Sequence, residues 1–291
     1  MAIAPSARCR PPEGFVVTPW TRPWFAELCR PGVIGMLHLG PLPGSPGWGG
    51  DLGAVTGAAL LDARTLREGG IGALMLENFH DIPFQPGSVP PVTVAAMTFV
   101  AAAIRRDLPD CPLGINVLRN DAEAALGIAV AVGAAFIRVN VHTGAAVTDQ
   151  GVLEGRAWQT LRQRREYGAA VGILADVRVK HAVPLGGRPL VDEARDLRLR
   201  GLADAVIVTG AATGAGADPG EIEELRRALP DCPLLVGSGV GSANVERFVP
   251  AADGFIVGTS LKEGGDVAAP VSAARMAEFL SRLAAARKGH A

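Results

Sequence analysis

The sequence predicts an α/β chain that folds as a single (β/α)8 TIM barrel, and three observations favour this fold. The chain has 291 residues, of which 48% are hydrophobic, and one barrel of this class takes about 250 residues. Eight apolar runs of strand length alternate with segments of helical periodicity, as expected for parallel strands covered on both faces. Two of the eight units, four apart along the chain, have nearly the same sequence. Together these features favour a barrel over an open sheet.

The eight apolar runs are the predicted barrel strands, and the segments between them are the predicted helices. The runs are VIGMLHL from 33, GALMLEN from 72, PLGINVL from 112, AFIRVNV from 135, VGILADV from 171, DAVIVTG from 204, PLLVGSG from 233 and GFIVGTS from 254. The clearest helix start is DPGEIEELRRAL, with Asp218 as N-cap, Pro219 at the first helical position and Glu221 in a capping box. We expect the barrel over residues 31–285, after a short proline-rich N-terminal extension over residues 1–30.

An internal repeat precedes strands three and seven. RRDLPDCPLGINV begins at Arg105, and RRALPDCPLLVGS begins at Arg226. In both segments a helix end passes through Leu-Pro-Asp-Cys-Pro into a strand, as two similar half-barrels would predict. Local convergence is the alternative, because proline commonly follows the end of a helix.

Composition and charge exclude several classes of protein. The formal net charge is −1, so no basic field attracts nucleic acid or an anionic membrane. No apolar run reaches the roughly 20 residues of a membrane-spanning helix, and the N-terminus lacks the apolar core of a secretory signal. We therefore expect a cytoplasmic protein that binds neither nucleic acid nor membrane. We also expect it to form a homo-oligomer.

Four cysteines, Cys9, Cys29, Cys111 and Cys232, have no metal-binding spacing and are expected as reduced thiols.

Polar side chains cluster at the carboxyl ends of the predicted strands, where barrels of this class have their active sites. The candidate acid–base residues are His38, Glu77 and Asp176 at strand ends and Lys180 on the loop after strand five. Each strand-end residue could instead cap a loop or a helix, but their number exceeds what turn chemistry needs. The candidates for substrate binding are Asn78, Asn116, Asn140, His142, His181 and Thr209.

Lys180 allows two interpretations. If desolvated, its pKa could fall from about 10.4 toward 7–8, and the amine could act as a base or a Schiff-base nucleophile. If exposed, it would instead bind a substrate phosphate or pair with Asp176. Strand six reads VIVTG and contains no lysine, which excludes a Schiff base on that strand.

The segment LLVGSGVGSANV, beginning at Leu234, combines a strand, a glycine-rich turn and a predicted helix start. Its glycine spacing is G-x-G-x-G on the seventh strand, whereas the dinucleotide fingerprint is G-x-G-x-x-G on the first strand. Barrels often bind phosphate between the loops after strands seven and eight. Main-chain N–H groups and hydroxyls would then hold the anion, although glycines also serve close strand–helix packing. The predicted phosphate-binding residues are Gly237, Ser238, Gly239, Gly241, Gly258, Thr259 and Ser260.

The loop after strand four, RVNVHTGAAVTDQGVLEGR, is long for a connection between a strand and a helix. Such loops commonly cover or bind substrate. Asp149 and Glu154 could ligate Mg²⁺ together with an oxygen donor such as Asn140, although Asp149 could equally cap a helix. The sequence requires no cofactor.

Several of these segments together resemble the BtpA/SgcQ family. The resemblance rests on IGMLHLGPLPGSP, LMLENFHDIPF, GINVLRND, IRVNVHTG, ADVRVKHAVPL, VGSGVGSANV and GTSLK, within about residues 31–280. It implies a TIM barrel of the ribulose-phosphate-binding type. One cyanobacterial member of this family is associated with photosystem I biogenesis or stability, and other members lie among sugar-metabolism genes. The resemblance thus implies a fold and a site more firmly than a reaction.

Two functions follow from these expectations. The first is an enzyme that acts on a small phosphorylated, sugar-derived metabolite by isomerisation, aldol (lyase) cleavage or glycosyl transfer. The second is a non-catalytic factor for photosystem I biogenesis, which no basic amphipathic helix or anchor in the sequence favours. A Rossmann dehydrogenase is disfavoured by the glycine spacing.

Overall fold

Eight parallel strands close into a barrel in the computed structural model, which describes residues 32–210 and 216–290. The barrel strands are β1 Val33–His38, β2 Ala73–Glu77, β3 Leu113–Asn116, β4 Phe136–Val139, β7 Gly172–Arg178, β9 Ala205–Thr209, β10 Leu234–Gly237 and β11 Gly254–Val257. Each overlaps one of the eight predicted runs. Strand β1 pairs with both β2 and β11, which closes the barrel. The predicted (β/α)8 fold is therefore confirmed.

Seven α-helices surround the barrel within the described ranges. They are α1 Leu52–Glu68, α2 Pro91–Asp107, α3 Ala122–Val132, α4 Ala157–Glu166, α5 Leu190–Arg195, α6 Pro219–Ala228 and α7 Ala273–Lys288. Asp218 caps α6 as predicted, with its carboxylate accepting a hydrogen bond from the N–H of Gly220. Helix α5 continues into a π-helical turn over Asp196–Arg200. The helices cover the outside of the strands, so only the barrel ends can hold a site.

Unit seven differs from the predicted strand–helix pattern. The short 3-10 turn Val245–Arg247 follows β10, so the helix predicted to start after Gly241 is wrong. Asn244 provides the physical reason. Its Oδ1 accepts a hydrogen bond from the N–H of Gly241, and its Nδ2 donates to the carbonyl of Gly239. The side chain thereby stabilises the glycine turn instead of starting an α-helix.

A small second sheet lies in the loops after β4 and β7, and the apolar pattern did not predict it. Strands β5 Ala145–Thr148 and β6 Gly151–Glu154 form a hairpin, and β8 Ala182–Pro184 pairs antiparallel with β5. These strands are three or four residues long, and each has at least one exposed residue. Such short, partly exposed strands leave no apolar run in the sequence. The long loop predicted after β4 is thus an ordered hairpin.

The barrel interior is filled by side chains and is not an open pore. An inner apolar cluster contains Ile34, Met75, Phe136 and Ile207 among its members. A Cβ at Gly114 would overlap the ring of Phe136, so a glycine at this position allows the phenylalanine to fill the interior. A larger cluster lies between strands and helices. Because the interior is packed, a ligand of the barrel would bind at its mouth and not inside it.

The two copies of the internal repeat have the same local structure. Arg105 donates from Nη1 to the carbonyls four and six residues downstream, at 2.8 and 3.0 Å. Arg226 makes the same two bonds at 3.0 and 2.9 Å. The thiols of Cys111 and Cys232 are buried, and each donates to the carbonyl of the following proline. Burial raises the pKa of Cys232 to about 12. The similarity in sequence is therefore also a similarity in conformation.

Some sequence predictions concern parts of the chain that the structure does not describe. Cys9, Cys29 and the whole of the predicted extension over residues 1–30 lie outside the described ranges. Within those ranges, no helix has the length and apolar character needed to cross a bilayer.

Candidate functional site

A cavity of about 830 Å³ opens at the carboxyl ends of the barrel strands. This volume lies in the range of roughly 300–1,000 Å³ that is usual for small-molecule sites. Phe79, Ile82, Phe84 and Leu118 give it an apolar wall. Its remaining lining comes mainly from the strand ends and the loops beyond them: His38, Glu77, Arg119, Arg138, Asn140, Asp149, Lys180, His181, Ser238, Gly239, Gly241, Asn244, Gly258, Thr259, Ser260 and Arg275.

Glu77 lies in this lining between side chains from two neighbouring strands. His38, Glu77 and Asn116 are register partners on β1, β2 and β3. Asn116 donates from Nδ2 to Oε2 of Glu77, and His38 Nε2 lies 3.8 Å from Oε1. The Glu77 side chain is 7% exposed. A carboxylate held in this way can exchange a proton with a ligand in the cavity.

His38 is a neutral imidazole at neutral pH. Burial lowers the pKa of its ring to about 3, and the charges of Lys262 and Lys180 add to the shift. Its Nδ1 is buried and makes no hydrogen bond within the described residues. A Cβ at Gly258 would lie 2.6 Å from Cε1 of the ring. The glycine at 258 therefore leaves space for His38, besides lining the mouth.

Asp176 is bound by Arg138, which the sequence interpretation missed. Arg138 donates to both carboxylate oxygens, at 3.0 and 2.9 Å, and Asn140 donates to one of them at 3.2 Å. Burial is the largest single effect and lowers the pKa of Arg138, but the charge of Asp176, the hydrogen bonds to it and the charge of Glu77 together outweigh burial, so the pKa is raised. Asn140 Oδ1 is buried and makes no hydrogen bond in the described part of the chain. Asn140 thus offers the cavity an acceptor, whereas both Asp176 oxygens are occupied.

Lys180 lines the cavity, and no hydrogen bond or ion pair of its amine is found among the described residues. Its Nζ lies 5.5 Å from the centroid of the Phe79 ring. Desolvation lowers the pKa of Lys180 below its usual value of 10.5, and the nearby Glu77 carboxylate offsets only part of the shift. The predicted alternative of a pair with Asp176 is not formed. His181 follows at the rim, exposed and with a φ of 57°.

The predicted phosphate loops lie together at one side of the cavity. Ser238 and Gly239 have consecutive positive φ angles of 65° and 70°. Successive main-chain N–H groups in such turns form concave sites that attract anions. Ser260 donates from Oγ to the carbonyl of Val240 at 2.7 Å, which ties the two loops together.

Not all predicted donors of these loops are available to an anion. The N–H of Gly241 is bonded to Asn244, and the hydroxyl proton of Ser260 is bonded to Val240. Thr259 and Ser260 begin the 3-10 turn Thr259–Leu261, so their N–H groups have no partner within that turn. These N–H groups remain as donors for a ligand.

Arg275 supplies a positive charge beside these loops, and the sequence interpretation missed it. It lies in the first turn of α7, lines the cavity and donates from Nε to the carbonyl of Ser260 at 2.9 Å. A single arginine on an exposed helix has no sequence signal that distinguishes it from a solvated residue. The signal for Arg138 was stronger, because it stands in an apolar strand two positions before Asn140 and so on the same face.

Besides Asn116, which donates to Glu77, three further predicted substrate-binding residues are not part of the cavity lining. Asn78 accepts a hydrogen bond from the N–H of Leu118 at 2.7 Å and donates to Asp81. His142 is buried, and its Nε2 lies 2.9 Å from the carbonyl oxygen of Gly201. Thr209 donates to a main-chain carbonyl of β7 at 2.8 Å. All three hold loops in position.

Asp149 and Glu154, the candidate metal ligands, are not brought together. Asp149 lies at the tip of the β5–β6 hairpin, whereas Glu154 pairs with Ala145 at its base. This separation amounts to roughly 13 Å of strand. Asp149 Oδ1 lies 3.7 Å from Nε of Arg119 and does not cap a helix. Among residues 32–210 and 216–290, no group of three or more His, Cys, Asp or Glu residues could hold a metal ion.

Comparison with protein families identifies the chain. The model of the BtpA family matches residues 29–285. The chain belongs to the BtpA family. It is 45% identical to the photosystem I biogenesis protein BtpA of Synechocystis, over 87% of this chain and 88% of that one. This membership confirms the resemblance found in the sequence.

Other BtpA relatives include proteins without an assigned role. An uncharacterized protein of Thermococcus kodakarensis is 48% identical over 84% of this chain and 92% of its own length. The putative sgc region protein SgcQ of Escherichia coli is 33% identical over 89% of this chain and 97% of its own.

Solved structures show that this chain shares its fold with TIM-barrel enzymes. Phosphoribosyl anthranilate isomerase from Thermus thermophilus has a TM-score of 0.54 at 13% identity, covering 87% of this chain and 98% of that one. The 3-keto-L-gulonate-6-phosphate decarboxylase from Vibrio cholerae has a TM-score of 0.52 at 12% identity, covering 89% and 97%. At these identities the likeness concerns the fold alone.

Proposed function

We propose that this BtpA-family chain is an enzyme that acts on a small phosphorylated, sugar-derived metabolite. One observation carries the proposal: a single cavity joins the glycine loops after β10 and β11 to the buried carboxylate of Glu77. A phosphate held at one side of such a site provides binding energy that orients the reacting carbon at the other. The fold shared with an isomerase of a phosphoribosyl compound and a decarboxylase of a sugar-acid phosphate supports this reading.

The phosphate would bind where two kinds of donor meet. The N–H groups around Ser238 and Gly239 and those of Thr259 and Ser260 supply hydrogen bonds. Arg275 supplies a positive charge beside them. Gly237, Gly241 and Gly258 then shape the two loops without contacting the anion.

Glu77 would move the proton in this reaction. Isomerisation and aldol cleavage both require a proton to be transferred near a carbonyl, which a positioned carboxylate can do. Lys180 would stabilise the oxyanion that develops on the neighbouring oxygen. Asn140 Oδ1 would accept a hydrogen bond from a substrate hydroxyl. His38 and Asn116 position Glu77, and Asp176 positions Asn140 through its hydrogen bond.

Thermal-shift measurements test the phosphate site. We expect inorganic phosphate and ribose 5-phosphate to raise the melting temperature, whereas ribose does not. Ser238→Asp places a negative charge in the site and should abolish the shift. Ser238→Asn is the matched control, because both residues tolerate a positive φ and only one is charged. No shift in the wild type, or an equal shift in Ser238→Asp, would overturn the proposal.

Two further expectations belong to this proposal. The reaction requires no bound cofactor, so turnover should survive treatment with EDTA, and a rise on addition of Mg²⁺ would identify a divalent metal as part of the reaction. The chain forms a homo-oligomer, which the outer face of the small sheet supports. Val147 faces its register partners Val152 and Val183 there, and the three are 43%, 53% and 69% exposed. Light scattering measures the molar mass of the wild type and of Val147→Glu, and this comparison tests whether the apolar face of the small sheet forms the contact between copies of the chain.

The Synechocystis relative supports a second candidate, a non-catalytic part in photosystem I biogenesis, because it carries that name at 45% identity. The two candidates differ in their need for Glu77. In a strain that lacks the gene, Glu77→Gln should restore the lost phenotype if the role is non-catalytic. It should not restore that phenotype if turnover is required.

A further inference from the structure

Two basic residues that the proposed phosphate site does not use line the cavity, and one of them lies opposite the glycine loops. Arg119 follows β3, and Lys180 follows β7. In the order of strands around the barrel, β3 stands four strands away from β10 and is thus opposite it. Both side chains line the same cavity as Ser238 and Arg275. The cavity therefore has positive charge at two ends.

Arg119 is buried but incompletely bonded. Its side chain is 5% exposed, and its Nη2 donates to the carbonyl of Lys180 at 2.9 Å. Its Nε is buried and makes no hydrogen bond within the described residues. A buried guanidinium N–H without an acceptor costs free energy. An anion in the cavity would supply that acceptor.

Asp149 lies near Arg119 without satisfying it. Its carboxylate oxygen is 3.7 Å from Nε of Arg119, too far for a hydrogen bond. The side chain stands at the tip of the hairpin and is 54% exposed, so solvent screens the pair. A ligand anion could therefore approach Nε of Arg119 more closely than Asp149 does.

We propose that Arg119 and Lys180 form a second anion site, so that the substrate carries another anionic group, a carboxylate or a second phosphate, besides its first phosphate. This inference rests on the proposed function, because it places the first phosphate on the glycine loops. Asp149 competes with the second anion for Arg119. The lowered pKa of Lys180 agrees with a site in which a desolvated amine lacks its anionic partner.

Isothermal titration with paired probes tests the second site. Glycerol 3-phosphate and 3-phosphoglycerate differ by the carboxylate, and fructose 6-phosphate and fructose 1,6-bisphosphate differ by a phosphate. In each pair we expect the doubly anionic probe to bind about tenfold more tightly, the effect of one charge-assisted contact. A preference in only one pair identifies the second anion as carboxylate or phosphate.

Variants assign that preference to the residues. Arg119→Gln and Lys180→Met should each weaken binding of the doubly anionic probe of a pair more than binding of the singly anionic one, so that the preference shrinks or disappears. Asp149→Asn should increase it, because the competing charge is gone. Lys180→Met and Asp149→Asn keep the test decisive if Arg119→Gln fails to fold, since neither side chain is fully buried.

The outcomes separate this inference from the proposed function. If all four probes bind and Ser238→Asp abolishes their binding, but no preference for two anions is found, the second site is overturned and the phosphate site stands. A preference that persists in Lys180→Met and does not change in Asp149→Asn also overturns it. If no probe binds, the proposed function fails, and the second site fails with it.

Discussion

Arg138 and Asp176 form a bidentate ion pair inside the barrel mouth, and their side chains are 8% and 0% exposed. Arg138 stands on β4, and Asp176 stands on the neighbouring strand β7. The position of Asp176 at a strand end predicts that its carboxylate takes part in catalysis. Because the carboxylate is bound by Arg138, the proposed reaction does not use it. In its place, Asn140 and the carboxylate of Glu77 remain available to a ligand.

Replacement of Asp176 by asparagine should therefore act on stability. The change leaves the guanidinium of Arg138 buried without its counter-charge, which costs about 3–5 kcal/mol of the free energy of unfolding. Urea denaturation measures the loss. Asp192→Asn is the control, because that carboxylate is 45% exposed and lies 3.7 Å from Arg195, so less than about 1 kcal/mol is expected. A variant at 176 that keeps full stability but loses turnover would make Asp176 catalytic.

Replacement of Glu77 by glutamine should separate chemistry from binding. The amide keeps the size of the side chain but cannot accept a proton, so kcat should fall by about 10²- to 10⁴-fold. The dissociation constant of inorganic phosphate should stay unchanged, because the proposed phosphate loops lie on other strands. Ser238→Asp is the complementary variant and should lose phosphate binding. If Glu77→Gln turns over substrate at the wild-type rate, the proton is transferred by another group.

His38 should make the fold sensitive to acid. Burial and the charges of Lys262 and Lys180 lower its pKa from 6.5 to about 3. Between these two pH values the unfolded chain binds more protons at this site than the folded chain does. The stability linked to neutral His38 is thus complete above pH 6.5 and is lost as the pH falls toward 3, by up to about 1.4 kcal/mol per pH unit.

The free energy of unfolding of His38→Asn, measured in urea between pH 7.5 and 4, should fall less steeply than that of the wild type. His142 gives an independent comparison, since burial also lowers its pKa, and His142→Asn should flatten the profile in the same direction. Parallel curves for the wild type and His38→Asn would show that His38 is not desolvated.

Much of the fold was predictable because the barrel strands are buried on both faces. Burial on both faces produces a continuous apolar run, and this signal identified every barrel strand. Strands β5, β6 and β8 left no such signal, because they are short and partly exposed. The missing helix after β10 depends on Asn244, whose side chain bonds back to the glycine turn. A sequence pattern does not show whether an asparagine starts a helix or bonds back to the turn before it.

The site was predictable only in part, for a related reason. His38, Glu77 and Lys180 line the cavity because strand ends and the loops just beyond them converge at the mouth. Arg119 and Arg275 reach the same cavity from a loop and from a distant helix. Their positions depend on how loops pack against one another, which no spacing along the chain records.

The internal repeat offers a test of how similar local structures contribute unequally to stability. Within the described residues, the hydrogen bonds found for Arg105 go to two carbonyls just beyond the end of its own helix. Arg226 makes the same bonds and also donates to the carbonyl of Ala251 and to the carboxylate of Asp253. The Asp253 carboxylate in turn accepts from the N–H of Leu234 at 2.8 Å. Arg226 thereby connects the beginnings of β10 and β11, the two strands that carry the predicted phosphate loops.

Substitution of each arginine by methionine should therefore have different costs in urea denaturation. Arg105→Met loses hydrogen bonds at a partly exposed site and should cost about 1 kcal/mol. Arg226→Met leaves Asp253, whose side chain is 9% exposed, without its counter-charge and should cost about 3 kcal/mol. Asp253→Asn in the Arg226→Met background should restore part of the loss, because the unpaired charge is then removed. Equal losses in the two single variants would show that the helix-end bonds, and not the link between β10 and β11, determine what each copy contributes.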